Sequence, residues 1–179
     1  MVDDVRRIRA DEWREYRELR LEALKDTPLA FTEQYETSVR RPDGFWRERV
    51  GRSATDGTVA GFVAVNAGRF VGKATCIIEP EVTEHVSAQI VGVYVQPPAR
   101  GRQAGTATRL IDAAVTWARR DAGADRVRLF VLEVNERAQR FYRRFGFVAT
   151  GNTMPYPPDP SYVELEMEYR GGGAATGLG

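Results

Sequence analysis

Seven residues in the middle of the chain, Gln89-Ile-Val-Gly-Val-Tyr-Val95, show almost no polar alternation. A strand with one face in water alternates apolar and polar side chains, so this run predicts a strand covered on both faces of a sheet. Pro97-Pro98 ends it, because proline offers no N–H to a ladder, and a turn bearing Arg and Gly follows. Beyond Gly105 the apolar positions Ala107, Leu110, Ile111, Ala114 and Ala118 recur at helical spacing as far as Asp121, with Gly123 as the stop. A buried strand feeding an amphipathic helix predicts an α/β domain with a mixed sheet, whose parallel part flanks that helix.

The remaining periodicities fill in the order. Val5 to Ile8 reads as a first strand. From Asp11, read as an N-cap, the spacing Trp13, Tyr16, Leu19, Ala23 predicts a helix that fades at Thr27-Pro28. Leu29 to Val50 carries Phe31, Tyr35, Phe45 and Trp46 among charges and one Pro-Asp-Gly, and reads as irregular chain with short helices. Thr58 to Val65 and Arg69 to Ile78 form a hairpin about Ala67-Gly68. Glu79 to Glu84 is an acidic loop broken by Pro80, and Val127 to Val134 is the next strand. Ala138, Phe141, Tyr142 and Phe145 share one face of a helix closed by Gly146, and Phe147 to Ala149 and Val163 to Tyr169 make two final strands. Between those strands, Met154 to Pro160 is a stiff proline-rich loop that walls something.

At 179 residues, 42% hydrophobic and 28% charged, the chain suits a single domain over residues 1–170, with a Gly/Ala tail at 171–179 that has nothing to bury and is expected to be disordered. Its 26 basic and 25 acidic residues leave a formal charge of +1, which argues against a generally basic nucleic-acid binder. One cysteine, Cys76, and one histidine, His85, cannot supply a Cys/His metal scaffold, and no metal is expected. The first residues lack the apolar stretch of a secretory signal, and no run of about 18 apolar residues occurs, so the expectation is a cytoplasmic protein without a membrane span.

Two segments carry chemistry. The turn Arg100-Gly-Arg-Gln-Ala-Gly-Thr106 opens onto a helix N-terminus, where converging backbone N–H groups and the helix dipole suit a pyrophosphate. From His85 to Ile111 there are three arginines, Arg100, Arg102 and Arg109, and no acid. A Gly-bearing strand-to-helix turn is also ordinary α/β punctuation. Neither a Walker loop nor Gly-x-Gly-x-x-Gly is present, which shortens the list of phosphate ligands. The second segment runs from Val131 through Asn135, Ala138 and Tyr142 to Gly146-Phe147.

Together the two segments resemble the GNAT superfamily of acetyl-coenzyme A-dependent N-acetyltransferases. Arg100 to Gly105 matches motif A, Arg/Gln-x-x-Gly-x-Gly/Ala, with Gln103 in place of its first Gly. The second segment matches motif B, a strand ending at Asn, a helix carrying Ala and Tyr, then Gly-Phe. The resemblance extends more weakly over residues 5–169.

It implies a mixed, mostly antiparallel central sheet of six to seven strands flanked by about four helices. It further implies that acetyl-CoA is the co-substrate and that the acceptor is a primary amine of a small molecule or peptide, attacking directly in a ternary complex. Backbone groups of Val93 and Val95 would pair with the pantetheine arm where two parallel strands splay, and Arg100, Gly101, Arg102, Gln103, Ala104, Gly105 and Thr106 would hold the pyrophosphate. Asn135 would hydrogen-bond the cofactor, Ala138 would leave room for it, and the side chain of Gln103 is expected to alter the pyrophosphate contacts. The Val95 N–H would serve the oxyanion, and Tyr142 would act as general acid toward the departing thiolate.

Periodicity taken alone makes Tyr142 a core aromatic as readily as an acid. Phe31, Tyr35 and Tyr156, with Asp159 nearby, would border the amine. For the base that frees the amine, Glu33, Glu79, Glu81, Glu84 and His85 all stand open, and a catalytic Cys76 has no partner in sequence to activate it. A non-catalytic coenzyme A-binding module of the same fold is the alternative, and the final strands leave a homodimer by edge pairing open.

Overall fold

A computed structural model describes residues 2–79, 85–101 and 103–171. Seven strands form one sheet: β1 (Asp4–Arg7), β2 (Val59–Asn66), β3 (Arg69–Ile78), β4 (Ser87–Val95), β5 (Arg126–Leu132), β6 (Phe147–Pro155) and β7 (Val163–Tyr169), in the order β1-β2-β3-β4-β5-β7-β6. Every neighbouring pair is antiparallel except β4 and β5. Five helices accompany the sheet: α1 (Trp13–Asp26), α2 (Tyr35–Ser38), α3 (Asp43–Thr55), α4 (Thr106–Arg120) and α5 (Glu136–Phe145). Among the described residues no helix is long and apolar enough to cross a membrane, and no group of three metal-binding side chains occurs.

Alternation along the strands sorts the core into two layers. Ala60, Phe62 and Ala64 of β2, Ala74 and Cys76 of β3, and Leu129 and Val131 of β5 pack with Leu110, Ile111, Ala114 and Ala118 of α4. On the opposite face Val63, Phe70 and Tyr94 pack with Trp13, Tyr16, Leu19 and Ala23 of α1 and Trp46 and Val50 of α3. Lys73 of β3 points to this second face, 1% exposed.

Four local readings change. Glu12, and not Asp11, is the residue before α1, and its carboxylate accepts from Arg6 Nη1 (2.9 Å) and from the Arg9 backbone N–H (2.9 Å), tying β1 to the helix. Pro-Asp-Gly starts α3 rather than a turn: Pro42 is extended just outside the helix, Asp43 sits favourably in its first turn, and Trp46, Val50 and Ser53 bury one face. The last-but-one strand continues past Ala149 to Pro155, across an irregularity at Gly151, whose φ is +90°. Only its first residue is buried, so hydrophobic periodicity carries no sign of it and the ladder with β7 defines it. That strand, β6, is one edge of the sheet, with β1 at the other, whereas β7 lies inside between β5 and β6, so of the two final strands only β6 is available for edge pairing. The acidic-loop residues 80–84, Arg102 and most of the tail, 172–179, fall outside the described residues.

Candidate active site

The parallel pair is short. β4 and β5 align only at Ser87↔Arg126, Ala88↔Val127 and Gln89↔Arg128. Beyond Gln89 a bulge diverts β4: Tyr94 pairs with Lys73 and Val91 with Thr75, so three steps on β4 match two on β3. Gly92 sits in the bulge with φ +63°, where a Cβ is strained. Its carbonyl accepts from Lys73 Nζ at 2.6 Å. Gly92→Ala is therefore expected to destabilise the fold by about 1–2 kcal/mol, the cost of the left-handed conformation for a residue with a side chain, read as a lower thermal midpoint.

The splay opens a cleft of about 960 Å³ that reaches through the sheet. One side is lined by Leu129, Val131, Asn135, Ala138 and Tyr142, the other by Tyr16, Arg20, Phe31, Glu33, Arg49, Lys73 and Glu164, with Val91, Gly92 and Val93 between them. Gln96 N–H donates to the Val71 carbonyl (2.9 Å), so the strand's alternation turns the amides of Val93 and Val95 toward β5, where no strand pairs with them. The Val95 carbonyl is taken by Arg100 Nε at 2.7 Å.

The turn after β4 is held by its own side chains. Arg100 also pairs with Asp26, and Thr106 Oγ1 donates to the Ala99 carbonyl at 3.0 Å. Gly101 (φ +111°) and Gly105 (φ +65°) are left-handed, and a Cβ on either meets nothing within 4 Å, so the space before them is open to a ligand. Gly105 precedes α4 without any side-chain cap, which leaves first-turn N–H groups facing that space. Gln103 is exposed at this turn.

Tyr142 is buried beside Phe141 and Phe147, with ring centroids 5.2 and 5.7 Å away, and its hydroxyl makes no hydrogen bond among the described residues. Burial pushes its phenol up to about 12. Asn135 caps α5, its Oδ1 accepting from the Ala138 N–H at 3.1 Å, so its side-chain NH2 is the part that can reach the cleft. Cys76 is fully buried in the α4 layer with its thiol pushed up to about 12, which makes it an inert core residue.

A family model, the Acetyltransferase (GNAT) family, matches residues 5–147. The chain belongs to the GNAT acetyltransferase family. No curated protein matches the sequence. Solved structures match its fold over nearly their whole length. An acetyltransferase of the GNAT family from Streptococcus pneumoniae is 15% identical, with a TM-score of 0.74, over 92% of this chain and 97% of that one. PaiA N-acetyltransferase from Thermoplasma acidophilum, in complex with coenzyme A, is 18% identical, with a TM-score of 0.70, over 93% and 98%. A mutant of spermidine N-acetyltransferase SpeG from Vibrio cholerae is 20% identical, with a TM-score of 0.66, over 93% and 94%.

Within this GNAT fold the expected acceptor residues separate. Phe31 is buried on the cleft wall. Tyr35 and Tyr156 are not among the cleft's lining residues: Lys25 Nζ lies 4.3 Å from the Tyr35 ring, and the Tyr156 hydroxyl donates to the Phe31 carbonyl at 2.7 Å. Tyr156 thus ties the loop after β6 to the loop after α1, and it borders a second, shallower depression together with Pro157 and Asp159.

The base candidates separate too. Glu79 is paired with Arg128 (2.7 Å), and His85 is exposed at the start of β4, 3.7 Å from Asp125. Burial works against the charge of Glu33, but Arg49 and Arg20 outweigh it and hold the carboxyl down at about 2, too acidic to accept a proton readily. Glu81 and Glu84 lie outside the described residues.

Sequence reasoning missed four cleft residues: Arg20, Arg49, Lys73 and Glu164. Each looks like a surface charge in its own segment, and none stands in a motif. A lysine between Gly72 and Ala74, in an otherwise apolar strand, was the one available sign. Burial first, then the charges of Arg20 and Arg49, pull Lys73 well below the usual lysine range, with Glu33 opposing. Glu164 is half-buried, has no hydrogen bond or ion pair among the described residues, and is raised by burial.

Proposed function

We propose that this GNAT protein is an N-acetyltransferase that moves the acetyl group of acetyl-CoA to a primary amine of a small molecule or peptide, by direct attack within a ternary complex. The observation that carries the reading is the unpaired gap between β4 and β5, continuous with the cleft and with the open turn before α4. Acetyl-CoA supplies the activated acetyl group as a thioester. Val93 and Val95 offer strand-like backbone partners to its pantetheine arm, and the amides of residues 100–106 receive the pyrophosphate at the positive end of α4. Ala138 leaves space, and the Asn135 NH2 offers a hydrogen bond.

The acceptor enters from the α1/α3 side, because Lys73, Thr75, Val91 and Glu164 line the cleft there. An alkylamine is mostly ammonium at neutral pH and must lose a proton before it attacks. Glu164 takes that proton in this reading, since burial raises its carboxyl and no cation among the described residues pairs with it. The Val95 N–H faces the gap, where negative charge develops on the carbonyl oxygen, and Tyr142 donates toward the leaving sulfur.

Calorimetry with coenzyme A and acetyl-CoA, followed by thiol release on mixing acetyl-CoA with a panel of amines, tests the proposal. Association together with release is expected. Association without release on any amine would leave a coenzyme A-binding module, and no association would overturn the reading altogether.

A further inference from the structure

Under the acceptor side of the cleft the guanidiniums outnumber the carboxylates bonded to them. Arg20 and Arg49 share Glu33, and Lys73 lies close by, its Nζ donating to the Gly92 carbonyl. Arg20 gives Nε and Nη2 to Glu33 Oε2 (3.2 and 2.6 Å), and Arg49 Nη1 reaches both Glu33 oxygens at 3.1 Å. The third nitrogen of Arg20, Nη1, is buried without a hydrogen-bond partner among the described residues, in a side chain only 6% exposed. A guanidinium is always charged, and a buried donor left unpaired is costly. Two guanidiniums share one hydrogen-bonded carboxylate, and the other acidic side chains of the cleft, Glu48 and Glu164, bond to neither of them among the described residues, so an incoming carboxylate at this spot is favoured.

The geometry narrows what would relieve it. A Cβ built on Gly92 would lie 3.2 Å from Lys73 Nζ and 3.7 Å from Arg20 Nη1. Two nitrogen donors on different elements therefore converge on the spot that glycine leaves empty, in the bulge that opens the cleft. Phe31 roofs the cluster, with Arg20 at 4.4 Å and Lys73 at 5.6 Å from its ring, so an arriving group loses water and its charge interactions strengthen. Two donors match the two oxygens of a carboxylate. A phosphate dianion asks for more, and here the remaining guanidinium donors that face Glu33 are already committed.

Resting on the acetyltransferase reading above, we propose that the acceptor is an amine whose own molecule carries a carboxylate, and that Arg20 Nη1 and Lys73 Nζ recognise that carboxylate beside Gly92. Polycationic amines are disfavoured by the same cluster. Glu164 lines the same cleft as the negative pole, so the two ends of an amino-carboxylate find opposite charges in one site.

The test compares matched acceptors on the intact protein: free amino acids, their amides, the corresponding decarboxylated amines, and spermidine. We expect kcat/KM to favour the carboxylate-bearing members by about 10-fold or more, the worth of a hydrogen bond to a charged group. Arg20→Met is expected to raise KM for those members more than for the amides and decarboxylated amines, so that the preference shrinks, and Arg20→Lys to restore part of it. Equal or faster acetylation of amides, decarboxylated amines or spermidine would overturn the carboxylate proposal while leaving the enzyme reading intact.

If no amine turns over, the enzyme reading is the one that fails. Calorimetry of the coenzyme A complex with N-acetyl amino acids and their amides then decides the carboxylate site. Heat with the acids only supports it, and equal heat or none overturns it. Because wild-type protein suffices for both measurements, a variant that fails to fold does not protect the proposal.

Discussion

Tyr142→Phe is expected to lower turnover by about 100-fold or more, the usual worth of a positioned proton donor, with coenzyme A affinity and thermal midpoint nearly unchanged. The separation follows from the environment. The ring packs against Phe141 and Phe147, which phenylalanine reproduces, while the hydroxyl bonds nothing among the described residues, so removing it costs the fold little. With its phenol pushed up to about 12, the residue stays protonated across the usable pH range and imposes no alkaline fall of its own below that. The same shift makes it a weak acid, so its part is a hydrogen bond to sulfur that strengthens as negative charge grows there. Unchanged turnover would return Tyr142 to a packing role.

Glu164→Gln is the second large effect, again about 100-fold in turnover if the carboxylate takes the amine's proton. A base works when deprotonated, so the wild-type rate should fall as pH drops through the raised value of Glu164. The glutamine variant should lose that acid limb along with the rate. The stability sign runs the other way. A carboxyl whose folded value is raised favours its protonated state in the fold, and above that value its charge costs stability. The variant is therefore expected to be as stable as the parent or more so at neutral pH, measured by denaturant unfolding. A rate and pH profile identical to the parent would remove Glu164 from the reaction.

Strand and helix order was legible wherever burial writes a period. The helix after Gly105, the hairpin about Ala67-Gly68 and the strand Val163–Tyr169 stand where alternation or helical spacing places them. Legibility failed where a neighbour rather than a pattern supplies the stabilisation. The exposed continuation of β6 exists because β7 pairs with it, and α3 starts at a Pro-Asp-Gly that local chemistry equally allows as a turn. The turn Arg100 to Thr106 and the segment Asn135 to Tyr142 were legible as local structure for a related reason: each is a continuous segment that sets its backbone geometry locally.

The opposite wall of the cleft behaves differently. Arg20 comes from α1, Glu33 from the loop beyond it, Arg49 from α3, Lys73 from β3 and Glu164 from β7, and no spacing in the sequence relates them. By itself the sequence determined most of the strands and helices, though not the continuation of β6 or the start of α3, together with the turn that opens onto α4 and the GNAT resemblance, because these rest on interactions between residues a few positions apart. Only the tertiary structure decided that β4 and β5 part after three residue pairs, that Arg20 and Arg49 share one carboxylate, and that the Glu164 side chain has no hydrogen-bond or ion-pair partner among the described residues. Desolvation and charge pairing depend on distances across the folded chain, and those distances come into being only when the sheet and its two helical layers close.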